Sequence, residues 1–151
     1  MSARDDRIHI DNVEHGLAIA RAASTTFQPT TRCIARVRDG ELLGGVLYEN
    51  NTGASILAHM AGFTPDWVNR DLLWVSFHYP FIQLGVRKMF GQVAESNRAA
   101  LEFNRKLGFK EEHRIKDVFP DGDMILLAMY RDDCRWLRLK PRHLRYNGSE
   151  G

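Results

Sequence analysis

The stretch between residues 86 and 109 reads VRKMFGQVAESNRAALEFNRKLGF, and it decides which class of fold the chain can adopt. Its first half, Val86–Glu95, predicts a β-strand. Its second half, Asn97–Leu107, repeats apolar residues at helical spacing, and Gly108 is a typical residue to end a helix. A strand, a helix and the start of another strand indicate a βαβ unit. The chain is therefore predicted to pack helices against a sheet.

Further strands are predicted on both sides of this unit. Upstream, a two-residue turn at Asp39-Gly40 joins two members of an antiparallel meander, which comprises Cys33–Arg38, Leu42–Glu49 and Ala54–Ala61. Downstream, Phe109–Val118 and Asp123–Tyr130 predict a hairpin. Within its second strand, Met124–Met129 is apolar without alternation, which is typical of a strand that is covered on both faces.

Two more helices are predicted. Asn12–Ala23 reads as a short helix whose inward stripe consists of Val13, Leu17 and Ala20. Thr64-Pro65-Asp66 has the cap, the proline and the acid that start a helix, and helical spacing continues to Ile82. Pro80 predicts a kink, and Gly85 predicts the end of this helix. A last helical turn is predicted at Asp132–Leu137.

Together these elements predict one α/β (α+β) domain over residues 1–151. The sheet is expected to be mixed and mostly antiparallel, with about six to seven strands and helices on both faces. Residues 1–11 are expected to be loosely held. Residues 138–151 are expected to form a basic polar tail.

Composition excludes several classes of protein. The chain of 151 residues is 44% hydrophobic with a net charge of +2, which excludes wholesale disorder. It contains no apolar run near the ~20 residues that a membrane helix needs, and the N-terminus has no secretory pattern, so a cytoplasmic location is expected. Cys33 and Cys134 form no CxxC pair and the six histidines are scattered, so neither a disulfide framework nor a metal site is expected.

The segment from Asn97 to Phe109, NRAALEFNRKLGF, resembles the "N-x-x-A…F/Y-x-K-x-G-F" signature of the GNAT acyl-CoA N-acyltransferases. The order of elements from Cys33 to Tyr130 is also similar to the core of that family. The run Tyr79–Val86 and the run Met129–Leu137 resemble a subgroup of small bacterial and phage-encoded members. The resemblance implies acetyl transfer from acetyl-CoA to an amine by direct attack, without a metal. It leaves open whether the acceptor is a small amine, a protein or a nucleotide.

The resemblance also implies where acetyl-CoA would bind. The pantetheine arm would pair with the backbone at the end of the third meander strand, and a helix start would hold the diphosphate. The implied cofactor-binding residues are Met60, Ala61, Gly62, Phe63, Trp67, Arg70, Asn97, Ala100, Phe103 and Asn104. For Asn97, a plain helix cap is an equally good interpretation.

Two departures from the family pattern bear on this site. Thr64, Trp67 and Asn69 stand where the family's loop Q/R-x-x-G-x-G/A has Arg or Gln, Gly and Gly or Ala. Asn104 stands where many members have a Tyr that protonates the departing thiolate, and an amide is no useful proton donor. Catalysis would then rely on water, on Ser96, or on positioning alone.

The attacking amine must be neutral, so a general base is expected near the site. His59, close to the end of its strand, is the first candidate, and Glu95 is the second. Glu49 is a further candidate at a strand end, whereas His78 shares a helix with core residues and is expected to be structural.

Two other functions remain open from the sequence. The chain could be a GNAT-fold binding or assembly module that has lost activity, as the missing glycines, Trp67 and Asn104 suggest. It could also be a nucleic-acid accessory protein, because the tail interleaves basic and aromatic residues: Arg135, Arg138, Lys140, Arg142, His143 and Arg145 with Trp136, Leu139 and Tyr146. The tail could equally be a solvated terminus or a dimer arm. Because few residues precede Cys33, a second subunit of a homodimer could complete the acceptor cleft.

Overall fold

The computed structural model describes residues 5–147, which form a seven-stranded sheet with helices on both faces. The strand order is β1-β2-β3-β4-β5-β7-β6, and every neighbouring pair is antiparallel except β4 and β5. The strands are β1 (Asp6–Ile10), β2 (Arg32–Arg38), β3 (Glu41–Glu49), β4 (Ser55–Gly62), β5 (Lys88–Ala94), β6 (Lys110–Phe119) and β7 (Gly122–Tyr130). This architecture confirms the predicted fold class.

Three helices cover the sheet: α1 (Val13–Ala22), α2 (Arg70–His78) and α3 (Arg98–Leu107). On one face, α1 packs on a small cluster that includes Cys33, Ala35 and Leu47. On the other face, α2 and α3 share the main core, whose sheet residues include Val46 and Leu127. Side chains of adjacent residues in a strand point to opposite faces, so β2, β3 and β4 each contribute residues to both clusters.

The expectation of a loose N-terminus is wrong for residues 5–11. Residues Asp6–Ile10 form β1, which pairs with β2 along its whole length, and Ile8 is 2% exposed. A strand with a single buried side chain gives a weak local signal, so this strand depends on pairing with β2 for its stability. Residues 1–4 lie outside the described part.

The inward face of α1 also differs from the prediction. Asn12, which together with Asp11 is a candidate cap from the sequence, caps the helix and accepts a hydrogen bond from the His15 backbone N–H at 3.0 Å. However, Val13 is 58% exposed and Leu17 is 50% exposed, whereas Gly16, Ile19 and Ala20 are buried. Gly16 lies directly under the Phe27 ring, so the contact face runs through Gly16, Ile19 and the predicted Ala20.

Helix α2 begins later than the sequence predicts. Its N-cap is Asn69, whose side chain accepts from the Leu72 N–H at 2.8 Å, and not Thr64. The carbonyl oxygens of Asp66 and Trp67 accept hydrogen bonds from the Arg36 guanidinium, so they do not enter a helical ladder. The helix is therefore delayed by a contact from β2 that is 30 residues away.

The predicted kink at Pro80 is present as a π-helical turn over Tyr79–Gln83, and Gly85 follows with a φ of 74°. Proline has no N–H, so the carbonyl of Ser76 loses its helical partner. The buried Tyr48 hydroxyl donates to that carbonyl at 2.6 Å instead. The kinked helix is thereby attached to β3.

The expectation that β7 is covered on both faces is wrong. Ile125, Leu127 and Met129 are at most 2% exposed beneath α3, whereas Met124 and Leu126 on the opposite face are only partly buried. Among the helices of the described chain, α1 reaches β2, β3 and β4 but does not extend over this half of the sheet. An apolar sheet face therefore remains open.

The chain after β7 is folded against the domain rather than free. Short 3-10 turns occupy Arg131–Asp133 and Arg135–Arg138, close to the predicted helical turn. Further on, the N–H groups of Arg142 and His143 donate to the buried Asp71 carboxylate at 2.6 and 3.0 Å. Tyr146 then forms a parallel bridge with Ile8 of β1. The predicted polar tail is thus anchored to residue 147, and residues 148–151 lie outside the described part.

Candidate functional site

The sheet opens between its two parallel strands. Pairing of β4 with β5 runs from Ser55–Lys88 to Leu57–Phe90 and then stops, although β4 continues to Gly62 and β5 to Ala94. Two neighbouring strands that part in this way leave one backbone edge of each without a partner. The end of β4, where the resemblance places the pantetheine arm, lies beside this gap.

The hydrogen-bond parity of β4 determines which backbone groups face the gap. The Phe63 N–H donates to the Leu43 carbonyl of β3 at 2.8 Å. Every second residue of an antiparallel strand bonds to the same neighbour, so Ala61 also bonds to β3. The N–H and C=O groups of Met60 and Gly62 therefore point toward β5. The predicted contact through the Ala61 amide does not fit this register, whereas contacts through Met60 and Gly62 do.

Backbone donors are also available where α2 begins. The first N–H groups of a helix have no partner within the helix, and an anion is favoured there by the helix dipole. Asn69 satisfies the Leu72 N–H, but within residues 5–147 the N–H groups of Arg70 and Asp71 meet no acceptor. This arrangement is compatible with binding of a diphosphate.

Trp67 occupies the side of the gap that α2 and α3 cover. Its indole ring lies directly on Gly62 and Gly44, and a Cβ atom at either glycine would overlap the ring. The centroid of the Trp67 ring is 5.5 Å from the centroid of the Phe103 ring on α3. An apolar cavity of only about 10 Å³ remains among Trp67, Phe103 and Met60. A ligand in the gap would therefore contact the Trp67–Phe103 pair as a wall.

The candidate residues on α3 are bonded to their own helix. The Asn97 side chain accepts from the Ala100 N–H at 3.2 Å, as a helix cap does. The Asn104 amide donates to the Ala100 carbonyl at 2.8 Å. The cap interpretation of Asn97 is thus confirmed, while its amide NH₂ group is still able to donate to a ligand.

His59 lies on the opposite face of β4, on the side of α1. Its Nε2 is 3.3 Å from Oε2 of Glu49, and the other carboxylate oxygen of Glu49 accepts from the Thr31 hydroxyl at 3.3 Å. The approach of His59 to Glu49 lacks the alignment of a hydrogen bond, so Nε2 is a buried polar atom without a hydrogen-bond partner among the described residues. Such an atom is unusual in a folded protein and suggests a functional role.

Glu95 and His59 are not brought together. Glu95 follows β5 on the side of α3, where its carboxylate is 2.6 Å from the Arg114 guanidinium. His78 stacks on Trp74 with the ring centroids 4.2 Å apart, in agreement with the expected structural role.

Arg70 is exposed and lies away from the Trp67–Phe103 pair. It lines a groove of about 530 Å³ together with Arg7 of β1 and Arg142 and Arg145 of the tail. This groove lies beside the start of α2, where Asp71 binds the tail backbone.

Sequence reasoning missed Arg36, which is 5% exposed. It stands two residues after Ile34, on the same face of β2, so a charged residue occupies a position that the strand alternation assigns to the core. That misplaced charge is the signal by which Arg36 could have been found.

None of the helices within residues 5–147 is both long and apolar enough to cross a membrane. In this part of the chain, His, Cys, Asp and Glu side chains form no group of three or more that could hold a metal ion. Cys33 and Cys134 are buried free thiols, and burial raises the pKa of Cys33 to about 12.

Comparison with known proteins identifies the fold. No protein-family model matches the chain, and neither does any curated protein sequence. Among solved structures, the N152L mutant of spermidine N-acetyltransferase SpeG from Vibrio cholerae matches with a TM-score of 0.67 at 15% identity, covering 88% of this chain and 96% of that one. The spermidine N-acetyltransferase from Vibrio cholerae in complex with CoA and spermine matches with a TM-score of 0.57 at 20% identity, covering 70% of this chain and 68% of that one. The chain therefore has the fold of the GNAT N-acetyltransferases.

Proposed function

We propose that this protein is an N-acetyltransferase that transfers the acetyl group of acetyl-CoA to an amine. The observation that carries the proposal is the unpaired edge of β4 at Met60 and Gly62, opposite a strand that has parted from it. In a GNAT fold this edge offers N–H and C=O groups to an extended pantetheine arm, as an added strand would use them. The CoA complex of a protein with this fold supports the same donor.

The residues present fit acetyl-CoA in three ways. The Met60 and Gly62 backbone supplies donors for the arm and for the thioester carbonyl. The free N–H groups of Arg70 and Asp71 suit a diphosphate, which favours a helix start. Trp67 and Phe103 offer an apolar wall, and the NH₂ group of Asn97 offers a donor at the start of α3.

Transfer would proceed by direct attack across the sheet. The amine approaches from the α1 side, where His59 Nε2 accepts a proton and the Glu49 carboxylate stabilises the charge that forms. The C–N bond forms, the C–S bond breaks, and the CoA thiolate takes a proton from water, because the Asn104 amide donates none. The proton that His59 accepted from the amine then passes to the hydroxide that is left, which restores the water and the neutral imidazole. A second copy of the chain completing the acceptor side is part of the proposal.

The first experiment is isothermal titration of the full chain with acetyl-CoA, followed by a thiol-release assay with small amines, peptides and nucleosides. We expect acetyl-CoA to bind and at least one amine class to be acetylated. Failure to bind acetyl-CoA would overturn the proposal.

A variant pair tests the role of His59. We expect His59→Gln to lower the transfer rate about 100-fold or more, the usual range for loss of a general base, with the affinity for acetyl-CoA unchanged. His113→Gln on exposed β6 is the matched control and should keep the wild-type rate. Equal rates in both variants would remove His59 from the mechanism.

A second candidate function is a GNAT-fold binding or assembly module without transfer activity. The observation that favours it is the packing of Trp67 on Gly62 and Phe103, which narrows the gap from one side. Acetyl-CoA binding by calorimetry separates the two, since only the enzyme requires it. A nucleic-acid accessory role, which would use exposed tail arginines such as Arg142, predicts a salt-sensitive gel shift with RNA or DNA.

A further inference from the structure

The loop between β4 and α2 has no glycine to shape it. Residues 63–69 read FTPDWVN, although backbone that approaches a phosphate closely is ordinarily rich in glycine. Side chains with a Cβ restrict the backbone, so a particular loop conformation must be imposed by contacts from elsewhere. The relevant contacts come from β2.

Arg36 reaches from β2 beneath this loop with 6% of its side chain exposed. Its Nη1 donates to the Asp66 carbonyl at 2.6 Å and to the Trp67 carbonyl at 3.0 Å. Its Nε and Nη2 donate to the two carboxylate oxygens of Asp6 on β1, at 3.0 and 2.8 Å. A single guanidinium thus connects two strands with two successive loop carbonyls.

These bonds determine the direction of the loop amides. In a planar trans peptide the C=O and the following N–H point in opposite directions. Because the Trp67 carbonyl points inward to Arg36, the Val68 N–H points away from the protein core. The N–H groups of Arg70 and Asp71 follow at the start of α2.

A second contact holds the same loop from the surface. The Arg38 guanidinium is 2.7 Å from the Asp66 carboxylate, and this pair together with the Thr64 hydroxyl lowers the pKa of Asp66 to about 2. Arg36 and Arg38 lie on the same face of β2, so one strand supplies both contacts.

We propose that Arg36 is the positioning residue of the diphosphate-binding loop. By holding the Trp67 carbonyl inward it turns the Val68 N–H outward, while the Trp67 N–H bonds to the Thr64 carbonyl within the loop. A buried arginine thereby fixes a backbone direction that glycine residues allow elsewhere. This inference rests on the proposed function, and Arg36 itself touches no ligand.

Arginine is required for geometric reasons. The planar guanidinium makes a bidentate contact with the Asp6 carboxylate and still donates two N–H bonds from Nη1 to the loop carbonyls. The ammonium group of lysine is a single point charge and lacks this arrangement of donors. Arg36→Lys keeps the charge that Asp6 needs but cannot make all four contacts. It is therefore the most informative variant.

The test compares Arg36→Lys with Arg32→Lys, an exposed arginine on the same strand that pairs with Asp11. Acetyl-CoA affinity is measured by calorimetry, S-acetylpantetheine affinity by NMR titration, and amide exchange at residues 64–72 by mass spectrometry. We expect Arg36→Lys to weaken acetyl-CoA binding about tenfold or more and to speed exchange in this segment. Binding of S-acetylpantetheine, which has no diphosphate, should be unchanged, and Arg32→Lys should match wild type in all three measurements.

The outcomes are distinguishable. Equal acetyl-CoA affinity of Arg36→Lys and wild type overturns the inference alone, and so does a parallel loss for S-acetylpantetheine, which indicates a general structural role. Absence of acetyl-CoA binding by wild type overturns the proposed function and the inference together. If Arg36→Lys does not fold, Asp6→Asn weakens the carboxylate contact that holds the Arg36 guanidinium, and unchanged acetyl-CoA affinity and exchange in that variant count against the inference.

Discussion

Tyr48→Phe should destabilise the protein more than the loss of one hydroxyl ordinarily does. Tyr48 is 1% exposed, and its hydroxyl is 2.6 Å from the carbonyl oxygen of Ser76, which is itself buried. Burial raises the pKa of Tyr48, so the hydroxyl remains a donor across the ordinary pH range. Pro80 provides no N–H, so in the variant the Ser76 carbonyl has no helical i+4 donor to replace the Tyr48 hydroxyl.

The expected cost follows from that missing partner. A buried carbonyl left without a hydrogen bond costs about 1–3 kcal/mol, compared with about 1 kcal/mol for an average hydrogen bond. For a domain of this size, a loss of about 2 kcal/mol lowers Tm by roughly 4–8 °C. Urea unfolding of Tyr48→Phe measures the change in the free energy of unfolding.

A double-mutant cycle with Pro80→Ala isolates the mechanism. Alanine at position 80 restores an N–H that can reach the Ser76 carbonyl, so Tyr48→Phe should cost about 1 kcal/mol less in that background. An equal cost in both backgrounds would refute the reasoning, and so would a cost below about 0.5 kcal/mol in the natural background.

Three further predictions follow from the structure. Leu127→Ala beneath α3 should lower the free energy of unfolding in urea by about 2–5 kcal/mol. Leu126→Thr on the open sheet face should lower it by less than about 1 kcal/mol, and comparable losses in the two variants would mean that this face is covered. Because the pKa of Asp66 is lowered from 3.8 to about 2, its pairing stabilises the fold above pH ~4 and is lost as the pH falls toward 2; Asp66→Asn should remove this part of the dependence of Tm on pH. Asp71→Asn should weaken the attachment of residues 141–147 and speed tryptic cleavage at Arg142, and an unchanged cleavage rate would contradict the attachment.

The candidate site was predictable in outline because the resemblance and the strand pattern both direct attention to the end of β4. Met60 and Gly62 were identified from sequence and do face the gap, and Asn97 does cap its helix. The position of Glu95 was not predictable, because its distance from His59 depends on which sheet face each occupies. Arg36 escaped detection because its partners lie 30 residues away in both directions.

By itself the sequence determined the order and type of nearly all elements, since hydrophobic period and turn residues act over a few positions. Asp39-Gly40 and Gly108 have positive φ angles where a hairpin and a helix end were expected. Tertiary structure alone decided where α2 begins, which face of α1 is inward and that Trp67 lies over Gly62 and Gly44. These features depend on contacts between segments that are distant in the sequence. A local pattern of residues does not specify which distant carbonyl, ring or carboxylate will contact a given residue in the folded chain.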